Sequence, residues 1–598
     1  MIREIVSAIL AAVISVAGAI IALRISPTDM MQRWQISSPD GVLHYLLFVN
    51  STQTFSYTTN PNLGFPSGLD AFFVAQVDMQ SALAMSVLAA IVHNGILSHN
   101  LYVLGTFALV ALGGYAFFRA LRIRRWLSVL FAVIFSLAPY HFLRVWYGHT
   151  FIENYWIVPL AGILVLIAAG PRTNPFTAWA ARASSRRGRI VRTALPPVIL
   201  SLVVATGEPY YFVFAVLIVG GVWLFGACGA LITRTPWRTI AATAIVPVSL
   251  VFFVGINLLV MAQNYGVRYQ SYAGARLISD SEIYSGKLMS LLLPWLGSGF
   301  PGASRLANHY ASASNVLPYT EATGTPMIAS VGMIALVLVV LIGILVGNRT
   351  LADTWVNRIV TDPRTRVLAV ALLWAFLFFV VSGLGVAVAM VAGTQVRAWV
   401  RVCIFLTLFG LAFVAMVVNA LPSKYGIRIG VAGLLAVVAV FDQVVGVAAA
   451  VPLKPTADDN IKAYVAAADN ALPNGCGVVQ LPMAGFPETP PTDSMPEHEL
   501  ALPFLYTTPG DIRWSYGSVD GTVGRKLWTD ANTPDLFGTT VKSTGACAIS
   551  VNLDGYSDHV DAWKPFVAAA GGNPDAPTVT SPDGGILLFT VGGATSNG

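Results

Sequence analysis

The chain has 598 residues, 56% of them hydrophobic and only 11% charged, with a mean hydropathy of +0.69. Values so far from a soluble average exclude a water-soluble globular enzyme and imply many membrane crossings. The net charge of +6 comes without a basic stripe interleaved with aromatics, so nucleic acid is not an expected partner.

Residues 5–23 are apolar over a length that crosses a hydrocarbon core and exceeds the apolar part of a signal peptide, predicting a retained first membrane helix. Behind it, residues 24–100 make a loop far longer than the median connection of about 4–6 residues. Within that loop, Ser38-Pro39-Asp40-Gly41 precedes an apolar run. This predicts a helix lying along the membrane surface, with Leu43, Leu46, Leu47 and Phe48 toward lipid and Asp40 toward a cavity. Asp40 reads equally as a helix cap or as a catalytic base. His44, one turn on, reads as a hydrogen-bonding partner. Asn60-Pro-Asn-Leu-Gly-Phe-Pro-Ser-Gly68 is either a plain turn or backbone free to approach a ligand closely. The apolar residues 71–97, broken at their end by His93, Asn94, His99 and Asn100, are expected as a re-entrant or interfacial helix.

Further spans are expected near 101–118, 126–140, 155–169, 194–207, 211–232, 239–262, 326–346, 367–391, 399–420 and 429–449, about eleven in all. Basic clusters at Arg119 to Arg125, Arg172 to Arg192, Arg234 with Arg238, Arg349 to Arg366, and Lys424 with Arg428 all fall on one side of that arrangement. The bias places that side, and the N-terminus, in the cytoplasm. The cytoplasmic loops carry no Gly-rich phosphate cradle, so nucleotide chemistry is not expected there.

Four polar groupings then lie outside. His141, Arg144, His149, Glu153 and Asn154 follow the third span. The spacing of His149 and Glu153 permits pairing or a metal, but no HExxH motif appears. Glu208-Pro-Tyr210-Tyr211 breaks two apolar runs, where an acid is costly unless it faces a polar cavity, although a turn with interfacial aromatics reads the same way. Arg397 and Arg401 run against the cytoplasmic bias. Their spacing predicts a compact phosphate clamp, with snorkelling to headgroups as the other reading. The loop 263–325 adds Arg268, Arg276, Asp280, Glu282, Lys287, Trp295, Arg305 and His309, a mixture suited to sugar or lipid headgroups. Asp442, in the last span, is expected to be partnered within the bundle.

At Pro452 the composition shifts toward Pro, Gly, Asp and Thr and the apolar runs shrink to strand length, near 476–481, 546–553 and 586–591, between helix patterns at 458–471 and 558–570. The chain is therefore read as a membrane domain, 1–450, and a mixed α/β extracytoplasmic domain, 451–598. Cys476 and Cys547 both fall in the tail, and in an oxidising compartment they are expected to form a disulfide. Asp511-Ile-Arg-Trp-Ser-Tyr516 with Asp520 has the character of a sugar-contact loop, and equally of a turn.

Asp40 in the first outer loop, the Asn60 to Gly68 segment, the His149 region leading into Pro159-Leu160, and Glu208-Pro-Tyr-Tyr together resemble the GT-C membrane glycosyltransferases, and within them the bacterial YfhO-like branch. The resemblance covers the membrane domain. It implies a multi-pass protein of the bacterial plasma membrane that takes a sugar from a polyprenyl-phosphate donor to a glycan or glycolipid acceptor of the cell envelope, outside the membrane. An acid of the first outer loop, here Asp40, is then the general base, and single displacement inverts the anomeric carbon. Glu153 and Glu208 are the competing acids. Arg397 and Arg401, with Arg144 behind them, are the candidates for the leaving phosphate, and His44, His141, His149 and Tyr210 for substrate contacts. With arginines in that role no metal or other cofactor is expected. A lipid-linked glycan polymerase or ligase would use the same arginines without the first-loop acid. A lipid or glycan transporter would place its polar groups nearer the membrane midplane.

Overall fold

The computed structural model describes residues 2–72, 76, 78–265, 276–313, 321–346, 354–422, 426–488 and 490–591. Arg268, Arg349 and Lys424 lie outside the described residues. Nine helices among the described residues are long and apolar enough to cross a membrane: Ile2–Leu23, Gly95–Ala120, Arg125–Trp146, Arg186–Ala205, Pro209–Ile232, Trp237–Asn264, Met327–Val346, Trp399–Ala420 and Ile427–Ala450. The other two expected spans coincide with shorter elements. Ile157–Ala168 is only 12 residues long and wholly buried. The stretch near 367–391 breaks after Phe379 into Pro363–Phe379 and Leu384–Ala392. Met79–Val92, the predicted interfacial helix, is a separate short apolar helix.

The spans Arg125–Trp146 and Trp399–Ala420 are mostly buried and form the middle of the bundle, whereas Ile2–Leu23, Arg186–Ala205 and Trp237–Asn264 expose most of their surface. Arg125–Trp146 changes direction at Leu137-Ala138, because Pro139 has no N–H to continue the first segment and instead opens the second. That bend aims the following turn, Tyr147 to His149, at Asp40 and Gly41.

The described residues form nine strands: β1 Arg33–Gln35, β2 Thr59–Asn60, β3 Leu69–Asp70, β4 Lys454–Thr456, β5 Cys476–Leu481, β6 Ile512–Trp514, β7 Ala548–Asn552, β8 Val579–Thr580 and β9 Ile586–Thr590. The last five make one sheet in the order β6-β5-β7-β9-β8. β5 runs parallel to both β6 and β7, and β9 is antiparallel to β7 and β8. Every residue of β5 and β7 is buried, as expected for strands covered on both faces. Cys476 and Cys547 are joined as a disulfide at the edge of this pairing.

The segment that follows Ile2–Leu23 is built into the sheet and its covering layers. The helix Asp40–Gln53 buries Leu46, Leu47 and Phe48 in one cluster with Tyr464, Phe504 and Trp514 of the tail. Those side chains therefore pack against protein, which corrects the expectation that they face lipid. The Asn60 to Gly68 segment likewise hydrogen-bonds the tail: Gly64 and Phe65 donate to the carbonyls of Tyr516 and Trp514, and Trp514 donates to that of Asn62. Gly64, at φ +67, also lies so close to Gly68 and Leu69 that a side chain would meet their backbone. The segment read as a sugar-contact loop, 511–516, supplies β6, with Trp514 fully buried and bonded to Thr507.

A second seam joins the same two regions. β1 pairs with β4, and the Arg33 guanidinium grips both oxygens of Asp458 at 2.7 Å. Burial would raise the Asp458 carboxyl, but the Arg33 contact outweighs it and holds the group below the ordinary aspartate range. Its stabilising contribution is therefore complete above the unfolded value of about 3.9 and is lost as pH falls through the lower folded value. Breaking one partner of a largely buried pair costs about 3 kcal/mol. Asp458→Asn is expected to lower Tm at neutral pH, and the difference from wild type is expected to shrink progressively as melting is repeated at pH values below about 3.9.

Candidate functional site

Asp40 opens its helix, but the cap position belongs to Pro39 and no side-chain cap bond forms. The carboxylate points instead to His149, whose Nε2 lies 3.4 Å away. Two glycines make this meeting possible. Gly148 sits at φ +67, and a Cβ there would come within 2.7 Å of the Gly41 backbone nitrogen. Gly41 has no room for a side chain either, with Ile36 against it. The helix start and the turn after the third span thus approach backbone to backbone.

From His149 the contacts continue inward. Arg144 donates to His149 Nδ1 at 3.2 Å, fixing Nε2 as the nitrogen that carries a proton toward Asp40. The same guanidinium donates to Glu321 Oε2 at 2.6 Å. Arg401 grips Glu321 from the other side, at 2.7 Å and 3.1 Å, and stacks over the Tyr210 ring at 4.4 Å. Arg144 is fully buried and lies over Tyr140 and Tyr147. Two buried arginines sharing one carboxylate leave a net positive charge, set beside a cavity of about 140 Å³ lined by Leu143, Trp146, Tyr147, Trp295, Tyr310 and Ala322.

The protonation states follow from these surroundings. Burial alone would raise the Asp40 carboxyl, but the contact with His149 outweighs it and holds Asp40 at about 2. Burial pushes the His149 imidazole down and that of His44 to about 4. Burial is also overcome at Glu321, where Arg401 and Arg144 hold the carboxyl far below its ordinary value.

The other predicted residues separate into those joined to this chain of contacts and those apart from it. His44 keeps its structural reading, with Nδ1 on the Asp40 carbonyl at 2.9 Å and its ring edge-on to Phe151. His141 is not at the site: it is fully buried, stacked on Phe107, and bonded through both ring nitrogens to Thr106 and to the Ser136 carbonyl. Arg397 does not clamp with Arg401. The backbone from Ala398 into the 3-10 turn Trp399–Val402 is not α-helical, so the four-residue spacing sends Arg397 over Tyr284 instead. Glu208 caps Pro209–Ile232 by accepting from the Tyr211 N–H at 3.1 Å, and burial pushes its carboxyl up to about 8. Glu153 is fully buried with neither oxygen hydrogen-bonded, and that burial drives its carboxyl well above the ordinary range. Asp442 accepts from Ser298 and from the Met327 N–H at the head of the span that follows Glu321.

Glu321 was not singled out in the sequence, although it stands as a lone acid just ahead of the Met327–Val346 span. Glu497 and His498, whose side chains converge on Asp40 from the tail, gave no signal, because nothing in the chain's linear pattern places residue 498 beside residue 40.

A family model described as "Domain of unknown function (DUF6311)" matches residues 9–304. No curated protein matches the chain. Among solved structures, the chain is similar to the Archaeoglobus fulgidus oligosaccharyltransferase tethered with an acceptor peptide, at 12% identity and TM-score 0.45, covering 95% of this chain and 71% of that one. It is similar to arabinofuranosyltransferase AftD from Mycobacteria at 14% identity and TM-score 0.46, covering 98% of this chain but only 40% of AftD. For ArnT from Cupriavidus metallidurans in the apo state the values are 14% and 0.38, with 97% of each chain covered. At these identities and scores the likenesses carry no inference about chemistry.

Proposed function

We propose that the protein transfers a sugar from a polyprenyl-phosphate donor to a cell-envelope acceptor at the outer membrane surface, with Asp40 as general base. The observation that carries this reading is the contrast among the three candidate acids. The Asp40 side chain is 39% exposed, whereas Glu153 and Glu208 are shut inside the protein. An acceptor hydroxyl can therefore reach Asp40 and neither of the others.

In the transfer step the acceptor oxygen attacks the anomeric carbon and its proton passes to an Asp40 oxygen. The bond from that carbon to the lipid phosphate breaks, and the electron pair leaves with the phosphate. Inversion at the anomeric carbon follows from the single displacement. The His149 N–H orients the carboxylate. The charge that grows on the leaving phosphate is met by the excess positive charge of Arg144 and Arg401, which Glu321 holds in place before the reaction begins. The apolar cavity beside Arg144 suits the first isoprene units of the carrier. In this reading the N-terminus is cytoplasmic and the tail lies outside, covering the site through the seams described above.

The test is a donor panel. Purified full-length protein in nanodiscs, given polyprenyl-phosphate pentoses and hexoses with short glycan and glycolipid acceptors, is expected to release polyprenyl phosphate only when an acceptor is present, with an inverted product by NMR. Absence of release across the panel, with donors shown not to bind, would remove the proposal.

A further inference from the structure

A second cavity, of about 510 Å³, is not used by sugar transfer. It lies between the end of Ile157–Ala168, the short helix Thr177–Ala181, and the first turns of Arg186–Ala205 and Trp237–Asn264. Arg186–Ala205 begins here, extends 20 residues, or about 30 Å, and leads into Glu208 and Tyr210, whose ring lies under Arg401. The cavity and the candidate site therefore stand at opposite ends of that helix.

The space exists because one helix stops short. Ile157–Ala168 has 12 residues and reaches about 18 Å, well under the hydrocarbon thickness of about 30 Å. Its neighbours Arg186–Ala205 and Trp237–Asn264 are full-length spans that meet farther along, where Ser249 donates to Ser201 at 3.0 Å. Before that contact the lining includes Ala180, Thr193 and Ala242, side chains too small to close the gap. Trp179 and Trp237, 39% and 71% exposed, stand beside lining residues. Tryptophans so placed mark the membrane surface, which puts the opening at headgroup depth.

Charge decides what fits. Residues 154–207 and 209–264, which supply the whole lining, contain eight arginines and no aspartate, glutamate or lysine. Two of the eight line the cavity from separate helices, Arg189 from one and Arg238 from the other. Arg192 is turned aside, lying over the Trp179 ring at 5.3 Å and donating to the Trp179 carbonyl. Among the described residues Arg189 and Arg238 make no ion pair, so both charges stay available. The side bias of arginine accounts for which end of the bundle they occupy. It does not account for two of them converging on a hollow that Phe176 and Ile245 also line.

We propose that this cavity binds an anionic phospholipid of the surrounding leaflet, with its phosphodiester between Arg189 and Arg238 and its first acyl carbons against Phe176 and Ile245. Guanidinium forks suit phosphate oxygens, and basic pockets between membrane helices take anionic headgroups. Bound there, the lipid ties together two spans that otherwise expose most of their surface, and it stabilises the fold by mass action. The inference uses no residue of the transfer site and does not rest on that reading.

The test is a lipid titration of delipidated full-length protein in detergent, read by native mass spectrometry. Dioleoyl phosphatidylglycerol is the probe and zwitterionic dioleoyl phosphatidylcholine the control. One phosphatidylglycerol is expected to bind roughly tenfold or more tighter than phosphatidylcholine and to raise Tm. Arg189→Gln and Arg238→Gln are each expected to weaken it roughly fivefold, and together roughly thirtyfold. Arg186→Gln with Arg187→Gln removes as much charge from the same helix outside the lining, and is expected to change affinity less than about twofold. Ala242→Phe keeps every charge but fills the hollow, and is also expected to weaken binding. Melting curves establish that each variant is folded. Equal affinity for the two lipids, equal weakening by the Arg186 and Arg187 pair, or wild-type binding by folded Ala242→Phe overturns the site. Excess inorganic phosphate is expected to leave the lipid bound; displacement by it would mean an ion site and would overturn the proposal as well.

Discussion

Replacing Asp40 with Asn is expected to slow sugar transfer by about 10²–10⁴-fold, the usual contribution of a positioned general base. The substitution keeps size and polarity at a site where Gly41 and Gly148 leave no spare room, so the helix start should be undisturbed. What is lost is the anionic acceptor for the hydroxyl proton. Donor affinity should change little, because the proposed phosphate contacts belong to Arg144 and Arg401. The expected kinetic pattern is a fall in kcat with KM for the donor nearly constant, the pattern of an interaction made in the transition state rather than the ground state. A matched loss in Glu153→Gln or Glu208→Gln is not expected to arise from proton transfer, since burial encloses both acids and pushes both carboxyls up, Glu208 to about 8. Glu208→Gln retains an oxygen to cap Tyr211 and is expected to keep most activity.

Glu321→Gln is expected to have the largest effect on stability, a loss of about 3–5 kcal/mol, because it leaves two buried guanidinium groups facing each other with no counter-charge. Arg144 and Arg401 are almost completely inaccessible to water, so solvent cannot replace the missing carboxylate. A lowered Tm in detergent, with transfer lost in parallel, is the expected result. Adding Arg144→Met to Glu321→Gln removes one of the two uncompensated charges and is expected to recover part of the lost Tm. Transfer should not return, because the positive charge at the phosphate position is also reduced. If the double variant melts no higher than Glu321→Gln alone, repulsion between the guanidinium groups is not the cause.

The membrane spans were readable because apolar length needs no tertiary context. The stretches that form shorter helices were read as full-length spans because a helix enclosed by protein is as apolar as one facing lipid, which is the situation of Ile157–Ala168. The central strands β5, β7 and β9 and the Cys476 and Cys547 pair were also visible, as short apolar runs in a tail otherwise rich in Pro and Gly. Asp40, His149, Arg144, Arg401 and Tyr210 were each identified from polarity at the ends of spans, and the fold brings them into one chain of contacts. The expected Arg397 clamp failed because spacing implies a shared face only if the backbone between is helical, and at Ala398 it is not. Leu46, Leu47 and Phe48 were assigned to lipid because an amphipathic helix does not reveal which apolar surface covers it. Here the cover comes from residues more than four hundred positions away, a pairing that single-sequence reasoning has no means to see.

The most direct test is a single-turnover comparison of wild type and Asp40→Asn, each preloaded with a polyprenyl-phosphate sugar identified from the donor panel and then mixed with acceptor. Wild type is expected to release polyprenyl phosphate in one rapid phase, while Asp40→Asn retains the bound donor and releases it about 10²–10⁴ times more slowly. Release by Asp40→Asn at the wild-type rate would contradict the assignment of Asp40 as the base.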